Sequence, residues 1–239
     1  MKTNILVGVL GGLGPEATCE FFKKIIKFSH AETDQEHLDL LIYNNPKVPD
    51  RTKAIMGLGE SSVPELINGL QLLERSGVEF IVIPCISSHY FLKEMQESIS
   101  IRIISAVSEI ASYIHKTYRE AKKVGVLATT GTIKGMVFDK VFENYSVTLI
   151  TPNEQDQKTV MEIIYGIDGI KAGNLGNTPR KKLVEIGNHL ISDGADVIIA
   201  GCTEIPLVLK ENDLEVPIID SLEVLAISTI LAAGGRIRT

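Results

Sequence analysis

Tryptophan is absent from the 239 residues, and aromatic side chains make up only 5% of them. Cysteine is scarce too. Cys19, Cys85 and Cys202 are too few and too far apart for a disulfide framework or a zinc ribbon. That sparing use fits a reducing, cytoplasmic setting. Positive charge is also short: 24 Lys+Arg stand against 30 Asp+Glu, a net charge of −6. A deficit of that sign argues against nucleic acid or a membrane surface as partner, since both need a basic field. A small anion could still be held by a few focused cations. No stretch approaches the roughly 18 apolar residues of a membrane-spanning helix. With 44% hydrophobic and 23% charged residues the composition is globular. The length suits one large domain or two of roughly 100–150 residues.

The first residues, MKTNILVGVLGGLGPEATC, place a lysine before an apolar run and so mimic a signal peptide. A similar run, KKVGVLATTGT, recurs at 122–132 in mid-chain. Both are therefore read as buried first strands followed by a loop.

That recurrence belongs to a longer one. Gly8-Val9-Leu10 matches Gly125-Val126-Leu127, an offset of 117. The segment GVEFIVIPC, ending at Cys85, matches GADVIIAGC, ending at Cys202, at the same offset of 117. Ile103-Ile104-Ser105 resembles Ile218-Ile219-Asp220 at an offset of 115. Three matches in one order point to duplication of a whole domain rather than a solenoid repeat. Within each half, apolar β-branched runs recur at 5–10, 40–43, 80–83, 124–127, 147–150, 197–200 and 216–219. They read as parallel strands buried on both faces. Amphipathic helices lie between them. Leu66, Ile67, Leu70 and Leu73 stripe 64–76, and Leu183, Ile186, Leu190 and Ile191 stripe 180–192. Gly77 and Gly194 are placed to end those helices. The expected fold is α/β: two similar, doubly wound parallel-sheet lobes related by pseudo-twofold duplication. No flexible linker divides the halves, so tight packing is expected.

Open α/β sheets bind ligands beyond the carboxyl ends of their strands. Cys85 and Cys202 each occupy such an end, before an expected helix whose dipole and amides would favour a thiolate. One buried cysteine is ordinarily inert packing. Two at equivalent positions of facing lobes can share a cleft and work on one carbon from both sides. Each sulfur would then sit ~3–3.5 Å from that carbon, with the sulfurs roughly 6–7 Å apart. One thiolate removes a proton, the opposite thiol delivers one, and the carbon inverts without a cofactor. Cys19 has no counterpart and is read as core.

The chain resembles the aspartate/glutamate racemase family nearly end to end. The resemblance is carried by GVLGGLGPEAT (8–18), NPKVPDRT (45–52), PCISSHYF (84–91), GIKAG (169–173) and GCTEIPLVL (201–209). It implies a cofactor-independent, usually dimeric enzyme of two α/β lobes, with Cys85 and Cys202 as the acid/base pair between them. It implies that Arg51 and Lys171 hold substrate carboxylate, with hydroxyls and amides of Ser87, Ser88, Thr130 and Thr203 holding the rest. It also implies that the end of the chain returns to the first lobe, giving 1–103 plus 218–239 against 104–217.

Several readings stand apart from the family. Arg51 alone could be a solvated loop arginine or an Asp50 partner, and Lys171 alone a surface lysine. Thr129, Thr130 and Thr132 could cradle an anion or simply make turns. Thr203 could donate to substrate, and Glu204 could cap the helix start. Gly12-x-Gly14-x-x-Ala17 mimics a dinucleotide fingerprint, but Pro15 intrudes and the next strand ends in Asn44-Asn45. A glycine turn near the substrate, or plain tight packing, is preferred. His89 reads as structural or as orienting Cys85, with no metal set around it. Ile86 stands where the family usually has Asn, which opens the question of substrate. The expected substrate is aspartate, glutamate or a related acidic amino acid. A decarboxylase or isomerase of a small dicarboxylic acid, and a non-catalytic carboxylate-binding protein, are the alternatives.

Overall fold

The computed structural model describes residues 5–238. In chain order the first half runs β1 (Leu6–Gly11), α1 (Pro15–Phe28), β2 (Asp39–Asn44), α2 (Arg51–Ile55), α3 (Val63–Arg75), β3 (Phe80–Val82), α4 (Leu92–Glu97), β4 (Arg102–Ile104) and α5 (Ala106–Thr117). The second half runs β5 (Lys123–Leu127), α6 (Thr130–Lys134), α7 (Asp139–Glu143), β6 (Thr148–Ile150), α8 (Glu154–Tyr165), α9 (Asn177–Ser192), β7 (Val197–Ala200), α10 (Ile205–Val208), β8 (Ile218–Asp220) and α11 (Ser221–Ala232).

Two parallel four-stranded sheets result, ordered β2-β1-β3-β4 and β6-β5-β7-β8. The orders are the same, as the duplicated sequence requires. Gly8 pairs with Ile81, and its counterpart Gly125 pairs with Ile198. The inner strands bury both faces, so they read as unbroken apolar runs rather than alternating ones. Strand β4 was not read as a strand: exposed Arg102 at its start leaves only Ile103 and Ile104 as a buried apolar run. Helices α3 and α9 end at Gly77 and Gly194, whose φ values of 82° and 96° suit glycine.

In each sheet the chain leaves the first strand one way to the second strand and the other way to the third. The switch points therefore lie after β1 and β3 in one lobe, and after β5 and β7 in the other. The loops carrying Leu13, Cys85, Thr129 and Cys202 emerge there.

The lobes exchange helices. Helix α11 follows the last strand of the second sheet but packs on α1 of the first lobe and on α5. Helix α5 follows the last strand of the first sheet and packs on α7 of the second lobe. The closing residues continue inward: His30 N donates to Arg236 O at 2.8 Å, and Arg238 N to Phe28 O at 2.8 Å. Strand β8 pairs with β7, Ile219 opposite Ile199, so the second sheet keeps the chain through Asp220 and only the helix crosses. Helix α11 is apolar almost all round, which suits burial between lobes.

One hydrophobic core runs through both lobes. It joins Val9, Phe21 and Val82 of the first to Val126, Phe138 and Ile199 of the second through Ile110, Leu222 and Leu225. Two smaller cores lie behind the sheets, one holding Cys202 and the other Cys85. Cys19 lies in none of them. It sits on the outer face of α1 and is exposed, correcting its assignment to the core.

Candidate active site

Between the lobes lies a narrow cavity lined by Leu13, Arg51, Cys85, Ile86, Ser87, Thr129, Tyr165, Lys171, Cys202, Thr203 and Glu204. Both thiols reach it, and each residue is only 6% exposed. The cavity volume is about 10 Å³, room for one water and far less than an amino acid needs. Outside it opens a vestibule of about 530 Å³ that shares Leu13, Arg51, Lys171 and Glu204 with the inner space.

Arg51 begins α2, after Asp50, whose carboxylate accepts from Lys53 N at 2.8 Å and caps the helix. The guanidinium is buried, not a solvated loop group. Nη1 donates to Val48 O and Pro49 O, both at 3.0 Å, and Nη2 donates to Leu13 O. Nε is buried without a partner. Of the five donors, the free ones lie on the Nε/Nη2 edge, which is a side-on fork for one carboxylate. Burial costs the cation. The neighbouring Cys85 sulfur, Tyr165 and Asp50 outweigh that cost and hold it firmly charged.

Cys85 is followed by a 3-10 turn, Ser87–Phe91, rather than by a long helix. Two side chains fix its loop. Ser88 Oγ donates to Cys85 O at 2.7 Å, and His89 Nδ1 lies 2.9 Å from the same oxygen. His89 Nε2 accepts from Ala106 N at 3.0 Å, so Nδ1 carries the proton toward Cys85 O. Burial pushes the imidazole below its ordinary value. The reading of His89 as orienting Cys85 matches this arrangement. Ser88 faces away from the cavity; its hydroxyl is spent on the loop.

Cys202 sits differently. Its Sγ donates to Glu204 Oε2 at 3.0 Å. Thr203 Oγ1 donates to the same oxygen at 3.2 Å, and Oε1 accepts from Lys171 Nζ. Burial first, then the Glu204 carboxylate, raise the Cys202 thiol well above its ordinary value, with Lys171 opposing. The expected lowering by a helix dipole does not occur. Helix α10 is one turn long, and a buried carboxylate at 3.0 Å outweighs it. Nor does Glu204 cap α10, since its side chain makes no capping bond there.

The remaining expected residues divide. Ser87 Oγ meets Thr129 Oγ1 at 3.1 Å and Thr132 Oγ1 at 2.9 Å, a hydroxyl cluster joining the lobes. Thr130 does not line the cavity: its Oγ1 accepts from Gln157 Nε2 at 3.2 Å, and Thr129 takes the place expected of it. Lys171 lies on the 3-10 turn Ile170–Ala172, held over the Tyr165 ring at 5.6 Å. Burial lowers its ammonium affinity for protons, but Glu204 and Cys202 more than restore it. Gly14 comes so close that a side chain there would strike the Glu204 carboxylate and meet Lys171 Nζ at 3.2 Å. The glycine turn does lie at the site.

Tyr165 was not foreseen. It ends α8, and its phenol, facing Thr52 and Asp50 of the other lobe, is held protonated by burial and by Cys202. Nothing in its local sequence marks it, because only the closing of the lobes brings it to the thiols.

A sequence profile described as Asp/Glu/Hydantoin racemase matches residues 10–229. The chain belongs to this family. It is thereby an isomerase of the racemase type. The Broad specificity amino-acid racemase RacX of Bacillus subtilis is 30% identical over 229 residues, covering 94% of this chain and 96% of the relative. The solved structure of Picrophilus torridus aspartate racemase superposes with a TM-score of 0.87 at 30% identity, over 98% of this chain and 96% of that one. An aspartate racemase homologue from Pyrococcus horikoshii OT3 gives a TM-score of 0.75 at 27% identity, over 95% and 98%. Family and fold thus agree with the resemblance read from the motifs. Among the described residues, no helix is long and apolar enough to cross a membrane.

Proposed function

We propose that the protein interconverts the enantiomers of an acidic amino acid, aspartate or glutamate, by proton transfer at Cα between Cys85 and Cys202. The observation carrying this reading is that one thiol from each lobe lines a single cavity beside a buried, half-unpartnered arginine. The Arg51 edge takes a carboxylate side-on. Lys171 supplies the second cation, and Ser87, Thr129 and Thr203 offer hydroxyls. A thiolate on one face removes the Cα proton and the opposite thiol returns one, so the S–H broken and the S–H formed exchange places. In the reverse direction the two sulfurs exchange roles.

A positioned base supplies about 10²–10⁴-fold. The rest must come from fixed donors facing the charge that develops on the carboxylate, and a guanidinium already anchored to three carbonyls is such a donor. No cofactor enters this scheme. Ile86 gives the cavity an apolar wall beside Cys85, where an amide would have offered hydrogen bonds. We assign no partner beyond the substrate and a second copy of the chain. The homodimer follows from the resemblance, and sedimentation at micromolar concentration checks it.

The test is proton NMR in deuterium oxide with a panel of D- and L-amino acids. Loss of the Cα signal from both enantiomers of aspartate or glutamate is the expected result. A panel in which no Cα signal decays overturns the reading.

A further inference from the structure

We infer that Glu204 is the acceptor for the substrate's α-ammonium group, and that the Lys171 ammonium occupies its place in the free enzyme. The inference rests on the amino-acid racemase reading and adds to it the group that recognises the amine.

Glu204 is a carboxylate with 3% of its surface exposed, inside the cavity that holds both thiols. Such a charge is tolerated only with a cation and hydrogen bonds around it. Its hydrogen bonds come from Cys202 at 3.0 Å and Thr203 at 3.2 Å, and its cation from Lys171. The first two are neighbours in sequence and stay. The third is the exchangeable one. Lys171 hangs from a short turn, its side chain is 24% exposed against 4% for Glu204, and it also lines the vestibule. Gly14 provides no side chain to hold the pair in place.

The carboxylate is peculiar to one lobe. At the offset of 117 the first lobe carries Ser87, uncharged and tied to Thr129 and Thr132. The charges also match. The cavity presents two cations, Arg51 and Lys171, and one anion, Glu204. An acidic amino acid presents two carboxylates and one ammonium. When the ammonium takes the place at Glu204, Lys171 is released to the second carboxylate. All three charged groups are then held while the Cα hydrogen alone changes face.

The test compares ligands with and without the amine. Dissociation constants of aspartate and glutamate, and of succinate and glutarate, are measured calorimetrically for the wild type and Glu204→Gln. The expected result is at least a tenfold loss of affinity for the amino acids and no loss for the amine-free acids, whose second carboxylate gains a Lys171 freed from Glu204. An equal loss for both classes overturns the inference and leaves Glu204 a structural residue. Should Glu204→Gln fail to fold by circular dichroism, Glu204→Asp keeps the charge, withdraws it by one methylene and should show the same selectivity in smaller degree. If another amino acid exchanges its Cα hydrogen faster, it and its des-amino acid replace the first pair. A wild type that exchanges no Cα hydrogen overturns the racemase reading itself. Normal exchange with an unselective variant overturns only the role of Glu204.

Discussion

The two thiols are equivalent in sequence position but not in surroundings. Arg51 lies against Cys85, whereas Glu204 accepts a hydrogen bond from Cys202 and raises it. Replacing Glu204 by Gln removes one of the two largest influences holding Cys202 protonated and leaves Lys171, which acts the other way. The reactivity of Cys202 toward iodoacetamide should then rise at neutral pH, its alkaline limb moving to lower pH. Mass-spectrometric labelling rates from pH 6 to 10 check this, and a limb that stays or moves upward contradicts it. Cys85→Ser and Cys202→Ser should each abolish interconversion. Each should still wash deuterium into one enantiomer, through the thiol that remains. Racemisation at the wild-type rate in either variant would remove that cysteine from the mechanism.

Among the connecting elements, two contacts hold the exchanged helices, one of them at the site. His89 ties the Cys85 loop to the first turn of α5. Burial depresses its imidazole, so the folded state holds fewer protons than the unfolded state below the ordinary histidine range. The sign follows. Its contribution is complete above about pH 6.5 and is lost as pH falls, at up to about 1.4 kcal/mol per pH unit. His189 is shifted upward by Asp156 and acts oppositely, so the comparison must be with a variant. The difference in urea midpoint between wild type and His89→Gln should shrink as pH drops from 7 to 5. A constant difference would mean that His89 does not titrate on unfolding. On the other side, Lys24 of α1 pairs with Asp220 at 2.8 Å and Glu223 at 3.6 Å, where α11 begins. Lys24→Met leaves both carboxylates without their cation. It should cost about 1–2 kcal/mol, less than a fully buried pair because Glu223 remains partly in water. Urea unfolding at pH 7 measures it.

The molecule as a whole is bound by the core shared between lobes. Because α5 and α11 each cross to the opposite lobe, each sheet has its own core on one face while the core on the other face is shared between the lobes. A chain ending at Asp220 contains every strand of both sheets yet should not fold, since α1 would expose the face that α11 covers. Absence of a cooperative urea transition in that truncation is the expected outcome; a native-like transition would show that the exchange is dispensable. The intact protein should unfold in one step by circular dichroism and tyrosine fluorescence alike. On the proposed reading, the small cavity lined by the two thiols must open toward the vestibule before an amino acid enters, and the Lys171–Glu204 contact lies on that boundary.

The duplicated strands, the helices ending at Gly77 and Gly194, and the paired placement of Cys85 and Cys202 were legible in the sequence. They depend on local periodicity and on an offset preserved between two copies of one unit. Arg51 and Lys171 were legible only through the family's motifs, because a single charged residue in a loop carries no local signal of burial. Tyr165, the substitution of Thr129 for Thr130, and the bond between Glu204 and Cys202 were decided by tertiary structure. Each depends on which side chains the closing of two lobes brings within a few ångströms, and no spacing along the chain encodes that distance. The crossing of α11 after β8 is of the same kind. An almost uniformly apolar helix announces that it will be buried, but which lobe buries it is settled by the packing of α1 and α5.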